Sequence, residues 1–285
     1  MSIRRSIQDR ERLVRRLERE FSQAVKDAES ELSVRIGAEL SSLRVDENGN
    51  IVASVGNVRI TNRLNQVFAE FRRDRQRSII SRFIASLRKI FRLNSRYFAK
   101  VRRGGPHDKI VSTILSTLGY NVDSKTVKNG SWLDELTRFG VVRQSIFRRV
   151  TSSVLGALPI ETLKKTISDL LKAGKGIFSQ FFSRQTRDIF ARVDRQTQNL
   201  YANELGLDFA FYSGTVKDNT RSFCRARALN VYTREEVESW QNQNWVGKIP
   251  GTDVKETCGG YNCRHHLSWV TQEVAENLGR INQYN

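Results

Sequence analysis

Between residues 3 and 43, apolar side chains return every three or four positions: Ile3, Ile7, Val14, Leu17, Phe21, Ala24, Ala28, Leu32, Ile36, Leu40 and Leu43. That spacing follows the 3.6-residue turn of an α-helix and gathers these side chains on one face. Charges of both signs occupy the remaining positions, as on a solvated helix that packs along a single stripe. The only prolines are Pro106, Pro159 and Pro250, so nothing breaks this helix. A helix of this length needs a long partner, and the fold class expected is mainly α: an extended antiparallel helical region with a small hairpin, followed by a small α+β module.

The partner is close in sequence. The turn signal Asp46-Glu47-Asn48-Gly49-Asn50 separates two short β-prone runs, which predicts a hairpin over about 45–60. A second long helix is expected over about 61–102, with Val67, Phe71, Ile80, Phe83, Ile84, Leu87, Phe91, Phe98 and Val101 on its apolar stripe. Gly104-Gly105-Pro106 ends it. Shorter helices are expected over about 107–119, 131–156, 160–173 and 183–205. After residue 205 the pattern changes. Phe209 to Ser213 looks like a strand, Thr233-x-x-Glu236 has the form of a capping box opening a short helix through Trp240, and Leu267 to Val270 suits a closing strand.

Charge follows the same division. The chain of 285 residues carries 48 Lys and Arg against 30 Asp and Glu, a formal net charge of +18. Residues 206–285 hold nine of each sign, so the whole excess lies in residues 1–205. Arg59 to Arg103 alone holds 14 basic residues and two acidic ones. All three cysteines, three of the four tryptophans and two of the three histidines lie after residue 205. Two domains are therefore expected, a basic helical domain over 1–205 and an α+β module over 206–285. No stretch approaches the roughly 18 consecutive apolar residues of a membrane-spanning helix, and the charged N-terminal segment lacks the apolar core of a secretory signal. Three cysteines do not make a disulfide framework, which suits folding in a reducing cytoplasm.

Within Arg59–Arg103 the basic excess would repel itself without an anionic partner. Arg72, Arg73, Arg75, Arg77, Arg88, Arg92, Arg96, Lys100 and Arg103 are expected to meet duplex DNA, independently of its sequence, or an acidic protein surface. Arg88, Arg92, Arg96, Lys100 and Arg103 recur every three or four residues and form a continuous stripe. The bland alternative is the wet side of a helix, as residues 3–43 look.

The densest chemical constellation is Asp218-x-x-Arg221-x-x-Cys224, followed by Cys258-Gly-Gly-Tyr-Asn-Cys263-Arg264-His265-His266. Cys224, Cys258, Cys263 and one histidine could bind zinc tetrahedrally, since thiolate and imidazole are its preferred ligands. The spacing is not that of a standard zinc finger. Two other readings stand beside it: cysteines buried as small hydrophobes, and a Cys224–Cys263 disulfide formed after release from the cell. Asp218, His265 and His266 with a bound metal would imitate a nuclease, yet no phosphate loop or paired-carboxylate motif surrounds them. No enzymatic activity is expected, and structural zinc is the candidate cofactor.

The run Asp218-x-x-Arg221-x-x-Cys224, then Trp240, Trp245-Val246-Gly247, Pro250-Gly251 and Gly259-Gly260-Tyr261-Asn262-Cys263-Arg264-His265, resembles the phage head-morphogenesis proteins of the Mu F-like type, the minor head proteins. The likeness covers roughly residues 213–270. The chain departs from many members in having Cys224 where they have histidine, and Cys263-Arg264-His265 where they have Cys-Arg-Cys. Cys258 and His266 lie outside the pattern. The resemblance implies a structural protein of the virion, in the capsid interior or at the portal vertex, assembled in the host cytoplasm. It would be present in several copies, would contact the portal protein and other head proteins, and would act in head assembly and genome packaging or delivery. Within the module, Asp218, Arg221 and Arg264 would make orienting ion pairs or backbone hydrogen bonds, and Trp240 and Trp245 would supply a small core. The alternatives are a non-capsid DNA-binding protein with a zinc-stabilised module and, third, a metal-dependent nuclease.

Overall fold

A computed structural model describes residues 3–101, 106–172, 174–186 and 188–282. In chain order the elements begin with α1 (Ile3–Leu40), α2 (Val55–Val101), α3 (His107–Thr117), β1 (Tyr120–Asn121), β2 (Thr126–Val127), α4 (Trp132–Arg138), α5 (Gly140–Leu155), α6 (Ile160–Leu170), α7 (Ile177–Thr186) and α8 (Ile189–Leu205). There follow β3 (Phe209–Ser213), α9 (Ser222–Arg225), β4 (Val231–Thr233), α10 (Arg234–Ser239), α11 (Val254–Thr257), β5 (His266–Val270) and α12 (Gln272–Asn282). The chain is 67% helical, mainly α with a small α+β C-terminal part. No helix among the described residues is long and apolar enough to cross a membrane.

By compactness the chain forms two units. One comprises Met1–Glu18, Ala85–Thr126 and Thr186–Asn285; the other comprises Arg19–Ile84 and Val127–Gln185. This division runs elsewhere than the expected boundary at Leu205-Gly206. The reason is packing: α8, placed by its sequence before that boundary, packs on β5 and α11, which lie after it.

In the first unit, β3 is the central strand of an antiparallel sheet ordered β4-β3-β5, with Ala210 opposite both Tyr232 and Trp269. α8 packs on β5, whereas α12 packs on β3 and β4. Every residue of β5 is therefore buried, polar ones included. A hydrogen-bonded network makes this tolerable, because buried polar groups are costly unless paired. Asp194, on the inner face of α8, accepts from Arg10 Nε at 3.1 Å and Asn94 Nδ2 at 2.9 Å, and meets His266 Nδ1 at 2.9 Å. Arg10 Nη2 also donates to Ser268 Oγ at 2.6 Å, and Tyr97 Oη donates to the Trp269 carbonyl at 2.8 Å.

The second unit has an aromatic core. Phe83 packs edge-on against Phe21 at 5.6 Å and beside Trp132 at 5.5 Å, while Phe139 lies between Phe71 at 5.3 Å and Phe182 at 5.8 Å. Glu29, fully buried, accepts the backbone N–H groups of Gly174 at 3.0 Å and Ser179 at 3.1 Å, and the Ser179 hydroxyl.

Three local expectations are corrected, the first being the helix expected over 183–205, which is the end of α7 followed by α8 (Ile189–Leu205). The hairpin over 45–60 is a single Val45–Ile51 bridge, and α2 already starts at Val55. Asp46 folds the turn onto itself by accepting the N–H groups of Asn48 at 2.9 Å and Asn50 at 2.8 Å. Buried Asn57 then ties Arg44 and Val52 to the first turn of α2, which leaves no residues for a second strand. The helix expected over 131–156 is two helices, broken at Phe139, whose φ is +53°. The ring of Phe139 is buried, and its packing holds the backbone in the left-handed region.

Candidate metal centre and basic helix face

Cys224 lies on α9, a single turn that follows β3, and Cys263 and His265 lie on the loop that leads into β5. The β3–β5 pairing ends at Ser213 opposite His266, which brings the two segments together. Cys224 Sγ and Cys263 Sγ are 3.7 Å apart, and Cys263 Sγ is 3.9 Å from His265 Nδ1. All three side chains are buried, and the ligand atoms lie within 4.8 Å of one another. The thiols are free.

Two glycines make room for the cluster. A Cβ on Gly259 would overlap the Cys224 sulfur and lie 3.1 Å from that of Cys263. Gly214, at φ +142°, lies under His265, where a Cβ would come within 2.6 Å of the ring. The surrounding groups point donors at the sulfurs. Tyr212 Oη donates to Cys224 Sγ at 3.3 Å, its ring stacks on His265 at 5.4 Å, and the Gly259 N–H reaches Cys263 Sγ at 3.2 Å. Trp245 Nε1 holds the Gly259 carbonyl at 3.0 Å.

Arg195 clamps the loop from beneath. Its buried guanidinium donates to the carbonyls of His265 at 2.8 Å, Cys263 at 2.7 Å and Glu256 at 3.2 Å. The thiols diverge accordingly. The hydrogen bond from Cys224, with help from His265 and the charge of Arg195, holds Cys263 well below the ordinary thiol range against the opposing effect of burial. Cys224 is pushed up, first by that same hydrogen bond and then by burial. Among the described residues, Cys224, Cys263 and His265 alone form a cluster of this kind. No protein-family model, curated protein or solved structure matches the chain.

Several expected site residues lie apart. Cys258 is outside the cluster; it ends α11 at φ +49°, and burial pushes its thiol up to about 12. His266 faces Asp194 and Asp218 is exposed, so neither joins His265 in the arrangement a nuclease reading needs. Asp218 contributes its backbone carbonyl, which accepts from Arg225 Nη2 at 3.1 Å, in place of an orienting carboxylate. Arg221 does act on the motif, donating to the Tyr261 carbonyl at 2.7 Å, and Arg264 pairs with Glu18, whose carboxyl burial pushes up. Trp240 is buried among Tyr212, Phe223 and Tyr232, and Trp245 stacks on Phe223 at 3.9 Å.

The basic residues of α2 separate into two groups. In the second unit, Arg72 pairs with Asp134 at 3.1 Å, Arg75 pairs with Glu31, and Arg73 lies 3.7 Å from its neighbour Asp74. These neutralise acids of the fold, while Arg77 is exposed. In the first unit, Arg88, Arg92, Arg96 and Lys100 are all exposed and make no ion pair among the described residues. Arg103 lies outside the described residues.

Sequence reasoning missed Arg195, Tyr212 and the Arg10–Asp194 pair. A signal for Asp194 was present: it falls within the apolar stripe of α8, between Phe190 and Tyr201. A charge at such a position has a buried partner or a function. Nothing local marks Arg195, because its carbonyl partners lie about 60 to 70 residues away in sequence.

Proposed function

We propose that this chain is a non-enzymatic phage minor head protein that links the portal or capsid to packaged DNA at or near the portal vertex, in several copies per virion. The observation that carries the DNA contact is the row Arg88, Arg92, Arg96 and Lys100, exposed and unpaired at four-residue intervals on one helix. Such a row suits the phosphate backbone, which is met by charge and without base readout. The virion role rests on the Mu F-like motif around residues 213–270, whose Arg221, Trp240, Trp245 and Cys263 all make contacts within the same module. The portal protein and other head proteins are the partners this role requires, with the module as the docking part.

Mass spectrometry of purified particles of the phage that encodes the chain tests the role. Its peptides are expected at a few copies per portal. Their absence from both mature and DNA-free heads would overturn the virion assignment, and with retained DNA affinity would leave a non-capsid DNA-binding protein.

A further inference from the structure

Two sulfurs and an imidazole nitrogen, from segments 39 residues apart in sequence, converge at Cys224, Cys263 and His265 within a buried, glycine-lined recess. Their spacing is compatible with three ligands of one metal ion. Around a tetrahedral zinc with Zn–S of about 2.3 Å and Zn–N of about 2.0 Å, two sulfurs lie about 3.8 Å apart and a sulfur and a nitrogen about 3.5 Å apart. The observed separations are 3.7 Å and 3.9 Å. At 3.9 Å the contact between the Cys263 sulfur and His265 Nδ1 is long for a hydrogen bond, and it is the polar contact the buried imidazole makes through Nδ1. His265 Nε2 has no partner among the described residues.

We propose that Cys224 Sγ, Cys263 Sγ and His265 Nδ1 hold one zinc ion, with Cys258 outside the site. Two thiolates and a neutral imidazole are the ligand chemistry zinc prefers over harder divalent cations. The outer groups are those such a site uses: Tyr212 and the Gly259 N–H donate to the sulfurs, and Arg195 fixes the carbonyls of two ligand residues. The ion would pin α9 to the loop before β5. The inference stands apart from the virion role, since either can hold without the other.

The test uses the full chain, purified under reductant after growth with added zinc. Elemental analysis is expected to give about one zinc per chain. Cys224→Ser, Cys263→Ser and His265→Ala should each lower this at least tenfold, whereas Cys258→Ser should leave it unchanged. The unsubstituted chain reconstituted with Co(II) provides a measurement that does not depend on the variants folding. Intense tetrahedral visible bands and a near-ultraviolet thiolate-to-cobalt band are expected. A folded chain that takes up neither zinc nor cobalt, or a Cys258→Ser variant that loses its metal, would overturn the proposal.

Discussion

At the scale of single residues, the first unit depends on charges and small side chains in places where neither is interchangeable. Asp194 is fully buried; burial alone would raise its pKa, yet the Arg10 guanidinium and the hydrogen bond to His266 hold it at about 2. An unfolded aspartate titrates near 3.9, so the folded value is depressed, and its stabilising share is present above about pH 4 and lost as pH falls towards 2. That share is about 2–3 kcal/mol. Chemical denaturation between pH 5 and pH 2 should show the loss, and Asp194→Asn should flatten it. The same variant should lower stability at pH 7 by about 3 kcal/mol, because it leaves the Arg10 charge buried without its anion. Gly259 is constrained by volume. In Gly259→Ala the new methyl must displace the Cys224 sulfur, at a cost of about 1–3 kcal/mol in thermal or chemical denaturation. Gly279→Ala is the control: it lies in α12 with nothing near its Cβ position, and is expected to be neutral or to stabilise by up to about 1 kcal/mol.

At the scale of elements, what could be read from sequence depended on whether the determinant was local. The three-to-four spacing of α1 and the strand at Phe209–Ser213 are local patterns, and both are found. So is the capping box, in which Glu236 N–H donates to Thr233 Oγ1 at 3.2 Å and the Glu236 carboxylate accepts the Thr233 N–H at 2.6 Å. The break at Phe139 was hidden because a phenylalanine at positive φ is held there by Phe71 and Phe182, neither close in sequence. β4 was hidden for a similar reason: its three residues become a strand by pairing with β3. The candidate metal centre was half legible. Residue types named Cys224, Cys263 and His265, but Cys258 is as good a ligand by type and is excluded only by where α11 ends. The start of α2 turns on Asn57, whose side chain accepts from Arg44 N and donates to the carbonyls of Arg44 and Val52. Asn57→Ala removes all three hydrogen bonds at once and leaves the Arg44 carbonyl its bond from the Val52 N–H across the turn, and should cost about 1–3 kcal/mol by equilibrium unfolding. Asn48→Ala, in the exposed turn, should change stability by about 0.5 kcal/mol or less.

At the scale of the whole molecule, the question is which part of the +18 is available to a partner. The sum treats Arg72 and Arg96 alike, but their surroundings do not. Arg72 and Arg75 are matched to Asp134 and Glu31, so their charge is already answered within the fold. Arg88, Arg92, Arg96 and Lys100 have no ion pair among the described residues, and four contacts to phosphate would release about four counterions. The logarithm of the affinity for duplex DNA should then fall with the logarithm of salt concentration at a slope of about −3.6. Fluorescence anisotropy with two unrelated duplexes between about 50 and 200 mM salt should give the same slope for both. Changing Arg88, Arg92, Arg96 and Lys100 together to glutamine should remove most of that slope and leave the unfolding midpoint nearly unchanged. The Arg72→Gln, Arg75→Gln pair should do the reverse, keeping the slope and lowering stability by about 1 kcal/mol. If the paired arginines moved the slope as far as the unpaired row does, the partner would be responding to total charge, and the helix face would have no special part in binding.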